Sequence, residues 1–498
     1  MGERAQRSGS RRASAPRPAR PARSGTGGGR RRADPARRAA YDVLRAVADR
    51  DAYANLLLPA LLTERGLTGR DAAFATELTY GTLRGRGTYD AILAACSDRD
   101  QMDPPVRDVL RLGAHQLLAT RVGAHAAVAT SVDLAKDVCG PRPSGFVNAV
   151  LRRVATRDLD AWTEIVAPGR DRDPSGYLAV RHSYPRWIVD AYRDALGEAS
   201  TAELEDALEA GNLRPDVILA VTPGSTNPAP EATPTRWSPY GFRLSAGDPA
   251  PFVASGQAAV QDEASQLAAL ALARVSLDPG EAPGTPGEAP SNPARDRLWL
   301  DLCAGPGGKA RLLSGLAAER GARLVASDVR PHRAARVVTA LRGAQPGAAL
   351  APAVITADGR RVPWRPGTFD RVLADVPCSN LGSLRRRPEA RWRKTPDDMP
   401  RLAAVQCELL NAALESVRPG GVVAYVTCSP HLAETRDVVT AVAEDRGDVT
   451  ILDAPAVLAE VPGLHASDPR FAQFWPHRHG TDAIFLALLS RRSPPGRS

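Results

Sequence analysis

Residues Leu298–Ala310 read LWLDLCAGPGGKA, and no other stretch restricts the fold of this chain as much. An apolar run rich in β formers ends in an acid, Asp301, and a glycine-rich turn follows at once. KARLLSGLAAE then continues with apolar residues at helical spacing. A strand that passes through a glycine turn into a helix N-terminus makes a cradle for a nucleotide-type cofactor, because small residues let the backbone and its free N–H groups approach a ligand. Gly305, Gly307 and Gly308 do not spell G-x-G-x-x-G, and Ala310 stands where a phosphate loop needs Ser or Thr. With dinucleotides and triphosphates set aside, S-adenosylmethionine is the candidate ligand. Taken alone, the turn reads equally well as a strand–helix connection whose glycines serve packing.

The surroundings of this turn favour the cradle. LWLDLCA, RLVASDV, AVITAD, RVLADVP, GVVAYVTCS and AIFLALLS are strand-like runs, separated by helical patterns such as PHRAARVVTALRG and RLAAVQCELLNAALESV. Such alternation predicts a doubly wound, mostly parallel (Rossmann-like) α/β sheet over residues 256–490, with its ligand crevice at the carboxyl ends of the strands. Within it, residues 277–297 are a Pro/Gly-rich stretch with a near repeat of PGEAP, expected to be a flexible insertion. The ends of that insertion must then lie close together.

Ahead of this region the pattern changes twice. Residues 35–157 are helical throughout, with RRAAYDVLRAVADRDAYANLLLPALL as the first of several amphipathic segments, and predict an all-α bundle of five or more helices. Residues 158–255 predict a small α+β linker domain. It would hold two helices over RHSYPRWIVDAYRDALG and TAELEDALEAGN, a strand over VILAV, and short strands over PFVASG and AAVQDEAS.

Charge is informative through its location. The chain carries +9 overall, but residues 1–38 hold twelve arginines against Glu3 and Asp34, a net of +10 that leaves −1 for the rest. Residues 1–34 are therefore expected to be a disordered Arg-rich tail with non-specific RNA affinity, and the folded part must bind polyanions through local patches. Lysine is rare, occurring only at Lys136, Lys309 and Lys394. No apolar run approaches the ~18 residues of a membrane span. The six cysteines form neither C-x-x-C pairs nor a disulfide framework, which points to a reducing, cytoplasmic setting with no metal.

Acids and cysteines fall where the crevice needs them. Asp328, Asp358 and Asp375 end the second, third and fourth strand-like runs of the α/β region. At the first two of those places a carboxylate can meet ribose hydroxyls and an adenine amino group, and each of the three could merely cap the next helix. Cys378 and Cys428 follow the fourth and fifth runs, on turns at the expected active face. Cys96, Cys139 and Cys407 lie in helical stretches and read as small buried hydrophobes. A thiolate suits a reaction that must first make a carbon electron-rich: sulfur added to C6 of cytosine turns C5 into an enamine nucleophile.

These phrases resemble known families. AAYDVLRAV, FATELTYGTLRGRGTYD, LRLGAHQLL and FVNAVLRRV are similar to the NusB-type RNA-binding helical domain. VQDEASQ resembles the phrase ahead of the catalytic domain in RNA cytosine methyltransferases. DLCAGPGGK, the aspartates, DVPCSNLGSLRRRPEARW and YVTCSPHLAE together resemble the bacterial RsmB (Sun) family of 16S rRNA m5C methyltransferases, and the likeness spans most of residues 35–490. It implies a class I methyltransferase that uses S-adenosylmethionine held by Cys303, Ala304, Gly305, Pro306, Gly307, Gly308 and Lys309, with Asp328, Asp358 and Asp375. It also implies Cys428 as nucleophile, Cys378 as the group assisting adduct breakdown, and Asp375 on the cytosine N3/N4 edge. Chemistry alone leaves the two cysteines interchangeable, since DNA cytosine methyltransferases attack with a P-C cysteine. The chain departs from the family at Asn380–Leu381 and in its terminal phrase HGTDAIFLALL.

The run LRRRPEARWRK completes the reading. Arg385, Arg386, Arg387, Arg391, Trp392 and Lys394 are expected to bind RNA phosphates and stack a base, with a solvated charge run as the alternative. The expected partner is RNA, most of all 16S rRNA, with tRNA or a non-catalytic role in ribosome assembly as alternatives. The expected state is a monomer.

Overall fold

The computed structural model describes residues 33–99, 101–223, 232–245, 247–277, 296–342 and 351–492. The Arg-rich tail and the Pro/Gly insertion fall, but for their edges, outside the described residues.

The front region is helical because each segment carries an apolar face and a start signal. Helix α1 (Pro35–Arg50) opens on Pro35 with the Asp34 carboxylate accepting from Arg37 N at 2.9 Å, and buries Ala39, Ala40, Val43 and Leu44. It packs with α2 (Ala54–Glu64), α3 (Gly69–Arg84), α4 (Arg86–Ala95), α5 (Pro104–Ala119), α6 (Ala124–Val138) and α7 (Ser144–Val154) around Val109, Leu110, Leu134 and Leu151. Four further helices follow: α8 (Leu159–Val166), α9 (Pro174–Arg181), α10 (Arg186–Leu196) and α11 (Ser200–Ala210).

A small antiparallel sheet comes next, built from β1 (Val217–Val221), β2 (Ala232–Pro234), β3 (Gly241–Leu244) and, after helix α12 (Ala250–Ala254), β4 (Ala258–Val260). The strand expected over PFVASG is corrected here. Those residues belong to α12 and its end, because Pro251 in the first turn starts a helix and Gly256, at φ 74°, stops it. Phe252 spends its apolar surface on the underside of the small sheet instead.

The α/β region starts with α13 (Glu263–Arg274), capped by Asp262. Its elements then run β5 (Leu298–Asp301), α14 (Gly308–Glu319), β6 (Arg323–Asp328), α15 (Pro331–Arg342), β7 (Ala353–Thr356) and β8 (Phe369–Asp375). They continue with α16 (Met399–Ser416), β9 (Val417–Thr427), α17 (Arg436–Arg446), β10 (Val449–Leu452), α18 (Ala454–Val457), β11 (Ala472–Gln473), α19 (Pro476–His479) and β12 (Phe485–Arg491). The strand order is β10-β12-β9-β8-β5-β6-β7, with β11 on β12. Pairs among β5–β9 are parallel, while β12 runs antiparallel between β9 and β10. Chain order reverses between β5 and β8, so the switch point of the doubly wound sheet falls beside the glycine turn. Alternating strand residues feed two cores: Trp299 and Leu373 pack on the α13–α14 side, Leu300 and Val372 on the α16–α17 side. Arg371 binds Val275 O at 2.7 Å and the Asp296 carboxylate at 3.0 Å, which brings the two ends of the insertion together. Among the described residues no helix is long and apolar enough to cross a membrane.

Candidate active site

The glycine turn is shaped by steric need. Gly305 N donates to Asp328 Oδ2 at 3.1 Å, and a Cβ on Gly305 would lie 2.4 Å from that same oxygen. Gly307 sits at φ 115°, where a side chain is strained, and its Cβ would meet that of Ala340 at 2.7 Å. Gly308 differs: a Cβ there would meet only the Gln261 side chain, at an ordinary contact distance of 3.6 Å, so a small group fits without a clash. Together Gly307 and Gly308 open α14 with no side-chain cap, which leaves its first N–H groups for a ligand.

Polar groups without partners converge on the turn. Asp301 is fully buried and its carboxylate has no side-chain partner, only the backbone N–H of Cys303 to support it. Burial, and then the charge of Asp375, push its pKa up to about 8. Ser327 Oγ and Gln261 Oε1 are likewise buried and unpartnered. Gln261, in VQDEASQ, lies against the cofactor loop at Gly308, whereas Asp262 caps α13. Asp328 closes β6 with Oδ1 on Arg330 N at 2.9 Å and Arg333 Nε 3.5 Å from Oδ2. Asp358 lies just past β7, held at about 2 by its hydrogen bonds to the Arg360 side chain and backbone. Burial, then Asp301, Asp375 and Asp328, push the Cys303 thiol far up, which keeps it protonated and out of the nucleophile's role. A cradle with room at Gly308, a free helix N-terminus and unpaired polar atoms beneath it fits S-adenosylmethionine.

The second half of the site lies at the ends of β8 and β9. Cys378 and Cys428 are free thiols with sulfurs 3.2 Å apart. Cys428 Sγ also meets Asn380 Oδ1 at 3.2 Å, and Asn380, at φ 63°, donates from Nδ2 to Cys378 O at 2.9 Å. Gly382 lets the two loops touch: its N donates to Cys428 O at 2.8 Å, and a Cβ would fall 1.8 Å from Ala483 O. Lys309 Nζ reaches across from the glycine turn to Asp375 Oδ2 at 2.8 Å. Burial opposes the Lys309 ammonium, but Asp375, with help from Cys428 and Asp301, outweighs it and raises its pKa. The environments of the two thiols differ. The hydrogen bond between Cys378 and Cys428, burial, and the charges of Cys428 and Glu434 drive the Cys378 thiol well above its ordinary value.

Sequence reasoning passed over one residue, Glu434. This fully buried carboxylate accepts from Ser379 N at 2.7 Å, Ser429 Oγ at 2.7 Å and Gln406 Nε2 at 3.1 Å, and also from Ser379 Oγ. Ser379 and Ser429 are the residues immediately after the two cysteines. The available signal was a carboxylate six residues past a candidate nucleophile, which reads locally as an acid at a helix start.

The basic run needs correction. Arg385 is buried and Arg386 largely so, and both pair with Asp262 and Asp482 at 2.5–2.9 Å. Arg391 is fully buried over the Tyr184 ring and donates to Ser183 O, Gly211 O and Asn212 Oδ1. Trp392 packs against Gly87, with Arg86 over its ring at 5.4 Å. These four residues join the catalytic loop to the rest of the chain and are not a phosphate surface, because each meets a partner distant in sequence. Arg387 and Lys394 remain near the surface. There Arg387 and Arg393 lie 5.4 and 4.8 Å from the ring of Tyr53, which is 44% exposed.

A doubly wound sheet with this cradle at its switch point and acids at its strand ends defines an S-adenosylmethionine-dependent methyltransferase. Comparison with known proteins sharpens the class. Residues 290–490 match the family described as 16S rRNA methyltransferase RsmB/F, and residues 34–156 match the NusB family. A protein of Mycobacterium tuberculosis strain H37Rv, whose name carries the word methyltransferase and no substrate, is 50% identical over 474 residues, covering 93% of this chain and 98% of that one. Ribosomal RNA small subunit methyltransferase B of Pseudomonas putida is 32% identical over 471 residues, covering 91% and 98%. The crystal structure of PH0851 shares the fold at a TM-score of 0.71 and 20% identity, over 92% of this chain and 98% of that one. The chain belongs to the RsmB/F methyltransferase family and carries a NusB-family domain at its front.

Proposed function

We propose that this protein methylates C5 of a cytosine in RNA, with 16S rRNA as substrate, through a covalent bond between Cys428 and C6. The observation that carries the reading is the pair of free thiols 3.2 Å apart at the ends of β8 and β9, next to the Lys309–Asp375 pair. Ribosomal RNA as the substrate rests on the names of the matching family and of relatives such as that of Pseudomonas putida.

The nucleophile's role goes to Cys428, which lies near the Lys309 ammonium, and the assisting role to Cys378, whose thiol is driven up by its contact with Cys428, burial and Glu434. Cys428 sulfur attacks C6 of a cytosine flipped into the crevice, while Asp375 accepts from the amino group on the N3/N4 edge and favours that attack. Residues 303–309, Asp328 and Asp358 would hold S-adenosylmethionine, which would supply an electrophilic methyl group for C5 and leave as S-adenosylhomocysteine. Loss of the C5 proton to a base and departure of the Cys428 sulfur then restore the ring, with the Cys378 thiol assisting that departure. Arg387 and Lys394 supply cations for the RNA backbone.

The test uses labelled cofactor and RNA. Cys428→Ala should abolish methyl transfer and form no adduct, and Cys378→Ala should accumulate a covalent protein–RNA species on a denaturing gel. The reverse pattern would sink the assignment. Bisulfite sequencing of rRNA from a strain lacking the gene identifies the target nucleotide, and an unchanged 16S pattern would refute the substrate.

A further inference from the structure

We infer that Glu434 is a positioning residue for the methyl transfer: it ties the two cysteine loops to one carboxylate and so holds the Cys378 thiol against Cys428. The inference rests on the two-cysteine reading above and adds a residue to it.

The geometry is that of a filled clamp. An ionised carboxylate only accepts, with about four lone-pair sites, and Glu434 receives four donors: Ser379 N, Ser379 Oγ, Ser429 Oγ and Gln406 Nε2. One donor residue follows Cys378 and another follows Cys428, so a single side chain fixes loops that leave different strands. Ser379 Oγ and Ser429 Oγ also meet each other at 3.1 Å. The clamp is itself anchored. Tyr425, on β9, donates its hydroxyl to Glu434 O at 2.8 Å, and Gln406, on α16, also donates to Pro377 O at 3.0 Å. Glu434 touches neither sulfur, so its effect on the reaction passes through the spacing of the loops and through its charge near Cys378. A side chain that served stability alone would have no need to collect donors from the positions just after both cysteines.

Glu434→Gln keeps the shape and turns one acceptor into a donor facing serines that already donate. In the full-length protein it should lower turnover at least tenfold, leave the affinity for S-adenosylhomocysteine and RNA within about threefold, and accumulate the covalent RNA adduct as Cys378→Ala does. A readout free of RNA tests the clamp by itself. In the wild type, diamide should bridge Cys378 and Cys428 rapidly: two thiols lose two hydrogens, the diazene becomes a hydrazine and one S–S bond forms. Glu434→Gln should slow that bridging at least tenfold. If Glu434→Gln fails to fold, Ser429→Ala removes a single tether and should show the same two effects at smaller size. Bridging at the wild-type rate in a folded variant, or activity lost without any adduct, would overturn the inference. Rapid bridging in the wild type together with absent methyl transfer would instead refute the proposed function and leave the clamp standing.

Discussion

Two adjacent glycines in the cofactor turn should respond in opposite ways to the same substitution. At Gly307 a methyl group meets two penalties. The backbone is at φ 115°, and the left-handed region costs an L-residue roughly 1–2 kcal/mol. The new Cβ would also stand 2.7 Å from Ala340 Cβ and 3.1 Å from Val337 Cα, one a stub and the other backbone, so neither can swing away. Overpacking of that kind costs about 1–3 kcal/mol. Gly307→Ala should therefore lose ~2–5 kcal/mol, and at ~2–4 °C per kcal/mol for a domain of this size the melting temperature should fall by roughly 5–20 °C. At Gly308 the nearest atom to a new Cβ is 3.6 Å away, and alanine is the better helix former by up to ~1 kcal/mol. Gly308→Ala should fold as well as the wild type or slightly better. Its methyl group occupies the side of the turn assigned to the cofactor, however, so affinity for S-adenosylhomocysteine should drop at least tenfold. Differential scanning calorimetry and isothermal titration calorimetry on both variants make the measurement. Unchanged affinity in Gly308→Ala would show that no ligand sits over this helix N-terminus, and an unchanged melting temperature in Gly307→Ala would refute the steric argument.

Other variants probe the remaining groups. Asp301, with its pKa raised to about 8, binds a proton in the folded state between pH ~4 and 8 that it has released when unfolded, so stability falls as pH rises through that window. Asp301→Asn should remove this loss, stabilising the protein by up to several kcal/mol above pH ~8 and not at all below pH ~4; equal gains at both ends in denaturant melts would disprove the account. Lys309→Gln takes away the cation beside Asp375 and Cys428, and should cut turnover at least tenfold. Turnover within twofold of the wild type would separate Lys309 from the reaction. Arg391→Ala should cost ~3 kcal/mol, because buried carbonyls at Ser183 and Gly211 lose their donor, while Arg387→Ala should leave stability within ~0.5 kcal/mol and weaken RNA binding. Filter binding and thermal melts on the two variants distinguish an internal arginine from a surface one.

That last contrast shows which parts of the molecule a sequence discloses. Whatever depends on neighbours along the chain was legible: the strand–turn–helix around Gly305–Gly308, the acids that close β6 and β8, and the cysteines just beyond β8 and β9. Each of these belongs to a strand end, and in a doubly wound sheet strand ends share one crevice by construction. Local signals failed where the deciding partner was remote. A run of six basic residues looks like a phosphate surface until Asp262 and Asp482, more than ninety residues away on either side, take Arg385 and Arg386. Phe252 and Val253 look like a strand until Pro251 and Gly256 bound them. Glu434 looks like a helix-start acid, and its role appears only once β8 and β9 lie side by side and bring Ser379 and Ser429 to it. The chemistry of the site is thus written locally, in which atoms react. The precision of the site is written non-locally, in which buried acids hold those atoms in place, and the Glu434 and Arg385 networks are where it is to be measured.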